Sequence, residues 1–140
     1  MLIDEAFYRR LSGIATITDL IGNRIYPQFV PQHGGSYPCI VYSFHLEIRG
    51  KSNAGTNGLN KGSMAISCLA GNDVDAFEIG AALVSAIKND SRTTWGGDGG
   101  VKIAKCDIAS DDEAAAQMIG VGGVLKFAAV FEAELWYVEQ

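Results

Sequence analysis

The sequence predicts an α+β domain: a mostly antiparallel β-sheet with helices packed on one face. Three observations lead there. Segments of helical and of strand periodicity follow one another as helix, helix, strands, helix, two strands, without the regular interleaving of a parallel α/β sheet. Two of the strand segments keep a strict inside–outside alternation over most of their length. The chain has 140 residues, 48% hydrophobic and 19% charged, and a chain of this size buries roughly two thirds of its unfolded surface without a metal or disulfide staple. No internal repeat or linker marks a boundary, so residues 1–140 read as one domain.

Residues 2–11 open with a short helix, in which Ile3, Phe7 and Leu11 share a stripe and Ala6 lies beside it; Ser12-Gly13 stops it. A second helix, 14–21, carries several β-branched residues and ends at Gly22-Asn23, both tolerant of positive φ. Ile25-Tyr26-Pro27 begins extended structure, and the following prolines, Pro31 and Pro38, suit a short edge strand and a surface loop. Over 39–49, Ile40, Tyr42, Phe44, Leu46 and Ile48 face one way and Ser43, His45, Glu47 and Arg49 the other. Residues 50–62 are rich in Gly, Asn and Ser and read as a loop. A strand over 63–70 turns Met64, Ile66 and Cys68 to one face.

Asn72 or Asp73 can cap the next helix, where Asp75 and Glu78 suit the positive end of the dipole. Its buried stripe is expected to be Val74, Phe77, Ala81, Val84 and Ile87, flanked by Ile79 and Leu83. Gly80 weakens a helix by about 1 kcal/mol relative to Ala, which close packing on the sheet would justify. Residues 89–100 form a connector and 101–108 a strand. The last strand, 124–138, alternates Leu125, Phe127, Ala129, Phe131, Ala133, Leu135 and Tyr137 with Lys126, Glu132 and Glu134. Between these strands lies a 15-residue stretch, 109–123, long for a hairpin loop.

The net charge of −5 argues against nucleic-acid binding and against docking on an anionic membrane. No stretch approaches the roughly 18 apolar residues of a membrane span, and the acidic start Met1-Leu2-Ile3-Asp4-Glu5 is unlike a signal peptide. The three cysteines, Cys39, Cys68 and Cys106, are widely spaced in strand-like runs and read as reduced, buried hydrophobes, consistent with assembly in a cytoplasm.

Motifs of catalysis are weak. Gly50-Lys51-Ser52 lacks the earlier glycine and the following helix of a phosphate-binding loop. Gly120-Val121-Gly122-Gly123 precedes a strand, whereas a dinucleotide fingerprint follows one. His33, His45 and the cysteines form no local chelating pair, and Asp107, Asp111, Asp112 and Glu113 lack the spacing of a calcium loop. No serine sits in a nucleophile elbow, and nothing pairs Cys106 with a histidine. The chain therefore reads as a non-enzyme with no cofactor or metal.

Two polar stretches of opposite sign remain. The basic one holds Arg49, Lys51, Asn53, Asn57 and Lys61; the acidic one holds Asp107, Asp111, Asp112 and Glu113. In a head-to-tail ring such patches can meet across each subunit boundary. Ordinary solvated loops are the alternative.

Residues Thr18-Asp19-Leu20-Ile21-Gly22-Asn23-Arg24-Ile25-Tyr26-Pro27, Pro31-Gln32 and Tyr37-Pro38-Cys39-Ile40-Val41-Tyr42 resemble the tail completion (tail terminator) proteins of siphophages, prophages and gene transfer agents. The order of elements resembles that family over essentially the full length. In the motif, Gly22 is expected to end the second helix, Arg24 to cap its carbonyls, and Tyr26 and Tyr42 to lie on the sheet. The resemblance implies a virion protein that forms a hexameric ring, ends tail-tube polymerisation and joins the tail to the head. Its implied partners are copies of itself, the major tail tube protein and a head–tail connector protein, with DNA passing the pore without specific binding. A head-closure or connector component, or a generic protein-binding module, remains the alternative.

Overall fold

A computed structural model describes residues 2–28, 37–48, 58–108, 117–121 and 124–139. In chain order the elements are α1 (Ile3–Ser12), α2 (Ala15–Ile21), β1 (Ile25–Pro27), β2 (Cys39–Ile48), β3 (Asn60–Ala70), α3 (Asp73–Ile87), β4 (Thr93–Trp95), β5 (Val101–Ile108), β6 (Gln117–Val121) and β7 (Val124–Val138). The strands form a single sheet in the order β1-β2-β3-β7-β5-β4, with β6 pairing β7 as well. Every pairing is antiparallel except β1 with β2. The fold is thus α+β with a mostly antiparallel sheet.

The long strand β7 organises the sheet because it pairs three others. β3 runs beside it from Asn60↔Tyr137 to Ala70↔Phe127. On its other edge, β5 pairs from Lys102↔Val138 to Ile108↔Ala133, and β6 pairs with residues 124–128. Strand alternation sorts the side chains as the sequence predicts: Met64, Ile66 and Cys68 of β3 and Ala129, Ala133, Leu135 and Tyr137 of β7 are buried under the helices. From the helices, Ile3, Ala6, Phe7 and Leu11 of α1 and Ile17 and Ile21 of α2 join the same core. Phe7 meets Tyr42 edge-on at 4.9 Å and Trp95 at 5.8 Å, an arrangement that aromatic quadrupoles favour. A smaller cluster of Cys39, Leu69 and Ala128, covered by Tyr26, Tyr37 and Val41, lies apart from this core.

Helix α3 is capped by Asn72, whose side chain accepts the Asp75 amide at 2.8 Å. Its buried face is Ala76, Ile79, Gly80, Leu83 and Ile87. This corrects the expected stripe, since Val74, Phe77 and Ala81 point into solvent. The reason is Gly80. A Cβ there would lie 2.8 Å from the Phe131 ring and 3.3 Å from the Ala129 Cβ, so helix and sheet approach too closely at this position for a side chain. Gly80→Leu is expected to destabilise the fold by about 2–3 kcal/mol through overpacking, read from a urea transition. An unchanged midpoint would mean that the helix stands off the sheet.

Four further expectations are corrected. β3 begins at Asn60, not 63, because Gly62 accommodates the Phe44 ring, which a Cβ would meet at 2.2 Å. The supposed connector contains β4, whose Trp95 is fully buried. The long stretch before β7 contains β6, which pairs back on β7 from Gln117↔Ala128 to Val121↔Val124. At the end of β2, Ile48 is 53% exposed beyond an irregularity after Leu46, so the covered face ends earlier than the alternation suggests.

The N-terminal motif is also resolved in part. Gly22 ends α2 with φ at 61° and its amide on the Thr18 carbonyl. Arg24 does not cap that helix: its Nε donates to the Pro38 carbonyl at 2.7 Å, tying the start of β1 to the start of β2. Tyr42 is buried in the main core, whereas Tyr26 covers the smaller cluster. Pro31 and Gln32 lie outside the described residues.

Candidate interaction surfaces

The face of the sheet turned away from the helices carries the small Cys39, Leu69 and Ala128 cluster at one end and charged side chains at the other, and two of the sequence-predicted interface residues lie at the charged end. Lys61 belongs to β3, not to a loop as expected. Its Nζ lies 3.6 Å from Glu47 Oε2 and 5.2 Å above the Trp136 ring. Its charge is therefore partly engaged within the subunit. Asp107 is exposed on β5 and in register with Glu134 of β7, with Glu132 two residues further along the same face. Like charges directly opposite on neighbouring strands repel, and none of these three carboxylates has an ion-pair partner among the described residues. The structure thus brings Lys61 and Asp107 to the same face of one sheet, on either side of β7. The remaining predicted residues, Arg49, Lys51, Asn53, Asn57, Asp111, Asp112 and Glu113, lie outside the described residues.

The thiols sit where reactivity is suppressed. All three cysteines are free and buried. Burial pushes Cys39 up to about 11 and Cys106 to about 12, and raises Cys68 as well. A thiol that far above neutrality holds almost no thiolate, the form that attacks electrophiles or binds metals. His45 is exposed on β2, whereas Cys106 is turned into the helix-covered core, so these two do not form a nucleophile–base pair. His33 lies outside the described residues. Among the described residues, no group of three or more His, Cys, Asp and Glu side chains could hold a metal ion. Among the described residues, no helix is long and apolar enough to cross a membrane.

Two features had no distinct sequence signal. One is a buried polar junction joining α1, the end of α3 and β4. Asp90 accepts Arg10 Nε at 2.8 Å, Arg10 Nη2 at 3.0 Å and Trp95 Nε1 at 2.9 Å. Arg10 also donates to the Ala86 carbonyl at 3.1 Å. In sequence, Asn89-Asp90-Ser91-Arg92 has the composition of a solvated turn. The other is the outer side of α3, where Val74 and Phe77 are 69% and 50% exposed among the carboxylates of Asp73, Asp75 and Glu78. Large apolar side chains adjacent on one helix face commonly mark a contact surface.

No protein-family model and no curated protein matches the chain. Among solved structures, the fold is similar to a chain of the virion of a native gene transfer agent (GTA) particle. The TM-score is 0.63 and the identity 14%, and the match covers 96% of this chain and 94% of that one. At that identity the likeness establishes a shared fold.

Proposed function

We propose that this chain is a non-enzymatic structural protein of a phage-type virion, and that it forms the tail completion ring. The observation that carries the reading is the full-length likeness to a virion chain, with almost nothing left over on either side. The motif resemblance over residues 18–42 points the same way. So does the chemistry: the thiols are buried and protonated, and the exposed carboxylates and apolar side chains suit contacts between proteins.

In this role the chain assembles with copies of itself into a hexameric ring on the last turn of the major tail tube protein. The ring stops further polymerisation and offers its other side to a head–tail connector protein. Arg49, Lys51, Asn53, Asn57 and Lys61 on one subunit would face Asp107, Asp111, Asp112 and Glu113 on the next. Excess acidic side chains also suit a channel through which DNA slides, because like charge repels phosphate. Neutralising Asp111, Asp112 and Glu113 together is expected to lower infectivity; unchanged plaque counts would remove the charged-pore idea.

A neck position, as a head-closure or connector component, is the second reading, since the similar chain is described only by the whole particle to which it belongs. Electron microscopy of particles made without this chain separates the two. Tails of uncontrolled length support the terminator. Normal-length tails that fail to join heads support the neck. Particles normal in both respects sink the structural reading altogether.

A further inference from the structure

We infer that the second half of β2 offers an open strand edge, and that its occupant is the same edge of a second copy of this chain, in a two-fold antiparallel pair. The inference does not depend on the function proposed above.

The open edge follows from the hydrogen-bond pattern of β2. The Ile40 amide donates to the Arg24 carbonyl at 2.9 Å, and the Tyr42 carbonyl accepts the Gln28 amide at 2.7 Å. Ile40 and Tyr42 thus aim their backbone groups toward β1 and away from β3. Strand residues alternate in this respect, so Phe44 and Leu46 aim theirs the same way. By then β1 has ended: its last pair is Pro27↔Tyr42, and Gln28 takes a φ of 69°, which breaks the strand path. Among the described residues, nothing pairs with the Phe44 and Leu46 backbone on that side.

The far edge of the sheet is covered differently. There β4 pairs β5 from Val101 to Ile103, and beyond it Ser91 Oγ accepts the Cys106 amide at 3.2 Å. β4 itself is three residues long and lies between Arg92 at φ 65° and Gly96 at φ 90°. Short edge strands and caps of this kind keep sheet edges from pairing. The edge at Phe44 and Leu46 has no such cover among the described residues. Nor does the Phe44 ring screen it, because that ring lies over Gly62 of β3 with its centroid 5.6 Å from that of Tyr137 on β7.

One register of self-pairing uses these groups fully. With the two-fold axis at His45, Phe44 of each copy lies opposite Leu46 of the other in hydrogen-bonded positions, and each N–H of one copy meets a C=O of its partner. The half-buried Phe44 and Leu46 side chains then lie side by side and cover one another. Glu47, 3.6 Å from Lys61 of its own chain, comes opposite Ser43, so no carboxylate faces its own copy. Moving the axis to Phe44 pairs Leu46 with Tyr42, which β1 already holds. Moving it to Leu46 pairs Phe44 with Ile48, beyond the irregularity in the strand. A two-fold pair is closed and does not propagate round a ring, so this contact belongs to the chain before assembly.

Cross-linking reads the register directly. In the pair, position 45 faces its own copy without hydrogen bonds, with Cα atoms about 4.5 Å apart, inside disulfide range. Position 43 is offset from its copy by four residues, about 14 Å. Oxidation with copper phenanthroline is expected to convert His45→Cys to a covalent dimer and to leave Ser43→Cys monomeric; both positions are exposed, and the native cysteines are buried. Ultracentrifugation of the unaltered full chain should show a weak dimer, half associated at about 0.1 mM. Leu46→Pro removes half of the intermolecular bonds and none to β3, and should weaken the dimer about tenfold or more. A chain monomeric up to about 1 mM overturns the pairing, as does cross-linking at position 43 that matches position 45. Unchanged association of a folded Leu46→Pro variant also overturns it; if that variant does not fold, the cross-links decide. A hexamer that gives no cross-link at position 45 overturns the pairing and leaves the ring reading standing.

Discussion

Asp90→Ala is expected to lower the stability of the fold by about 3 kcal/mol or more, the range for breaking a buried, hydrogen-bonded charge pair. The carboxylate is almost wholly buried and serves three donors, two from Arg10 and one from Trp95. Removing it strands the indole N–H of a fully buried Trp95, which costs about 1–3 kcal/mol by itself. It also leaves the Arg10 guanidinium half in the protein without its counter-charge. The Arg10 side chain keeps 30% exposure and can recover some hydration, which places the expected loss toward the lower end for such pairs. Asp90→Asn preserves an acceptor for Trp95 and should cost less. The control is Arg9→Ala, which removes an exposed i,i+4 pair with Glu5 at 2.9 Å and should cost no more than about 0.5 kcal/mol. Urea unfolding followed by tryptophan fluorescence reads all three. If Asp90→Ala and Arg9→Ala behave alike, the junction does not hold α1 to β4.

Alkaline pH is expected to destabilise the protein steeply from about pH 9 upward. The sign follows from the thiols. Folding raises Cys39 from 9.0 to about 11 and Cys106 to about 12, and raises Cys68 in the same direction. The unfolded chain therefore releases protons at a pH where the folded chain still holds them. Stability is fully present below the unfolded value near 9 and is lost as pH rises toward the folded values. Each thiol removes up to about 1.4 kcal/mol per pH unit in that window. Burial raises Tyr37 and Tyr42 as well, which adds to the loss above their ordinary value of 10.0. Three thiols acting together approach the whole stability of a domain, about 5–15 kcal/mol, within two or three pH units. Melting temperature measured from pH 7 to 11 should fall with a slope that Cys68→Ala and Cys106→Ala together reduce by roughly two thirds. An equal slope in that variant would assign the alkaline transition to other groups.

Both results depend on features read with unequal ease from the residues. The alternation in 39–48 and 124–138 specifies which side chains share a face, because successive Cβ atoms on a strand point opposite ways whatever the strand pairs with. That local rule identified Tyr42, Met64, Ile66, Cys68, Ala129, Leu135 and Tyr137 as covered, whereas the burial of the cysteines follows from their apolar, strand-like surroundings. Asp107 reads only as part of an acidic stretch, and the pairing of β5 with β7 is what puts it on the outer face beside Glu134. Interface roles were harder to read. Lys61 has loop composition on both sides, yet pairing with β2 and β7 draws it into a strand and toward Glu47 and Trp136.

Periodicity, turn chemistry and composition by themselves determined the α+β class, most of the element boundaries and the inward faces of the strands, all of which arise from neighbours within a few residues. The tertiary structure alone decided the buried side of α3. That helix is apolar nearly all the way round, with Val74, Phe77 and Ala81 competing against Ala76, Ile79 and Leu83. Only the approach of Gly80 to Phe131 breaks the tie. It alone also joined Arg10 to Asp90 across 80 positions, and set β1 parallel to β2 and β6 against β7. Such choices turn on which distant surfaces meet, and a sequence pattern that repeats every two or four residues carries no information about a partner so far along the chain.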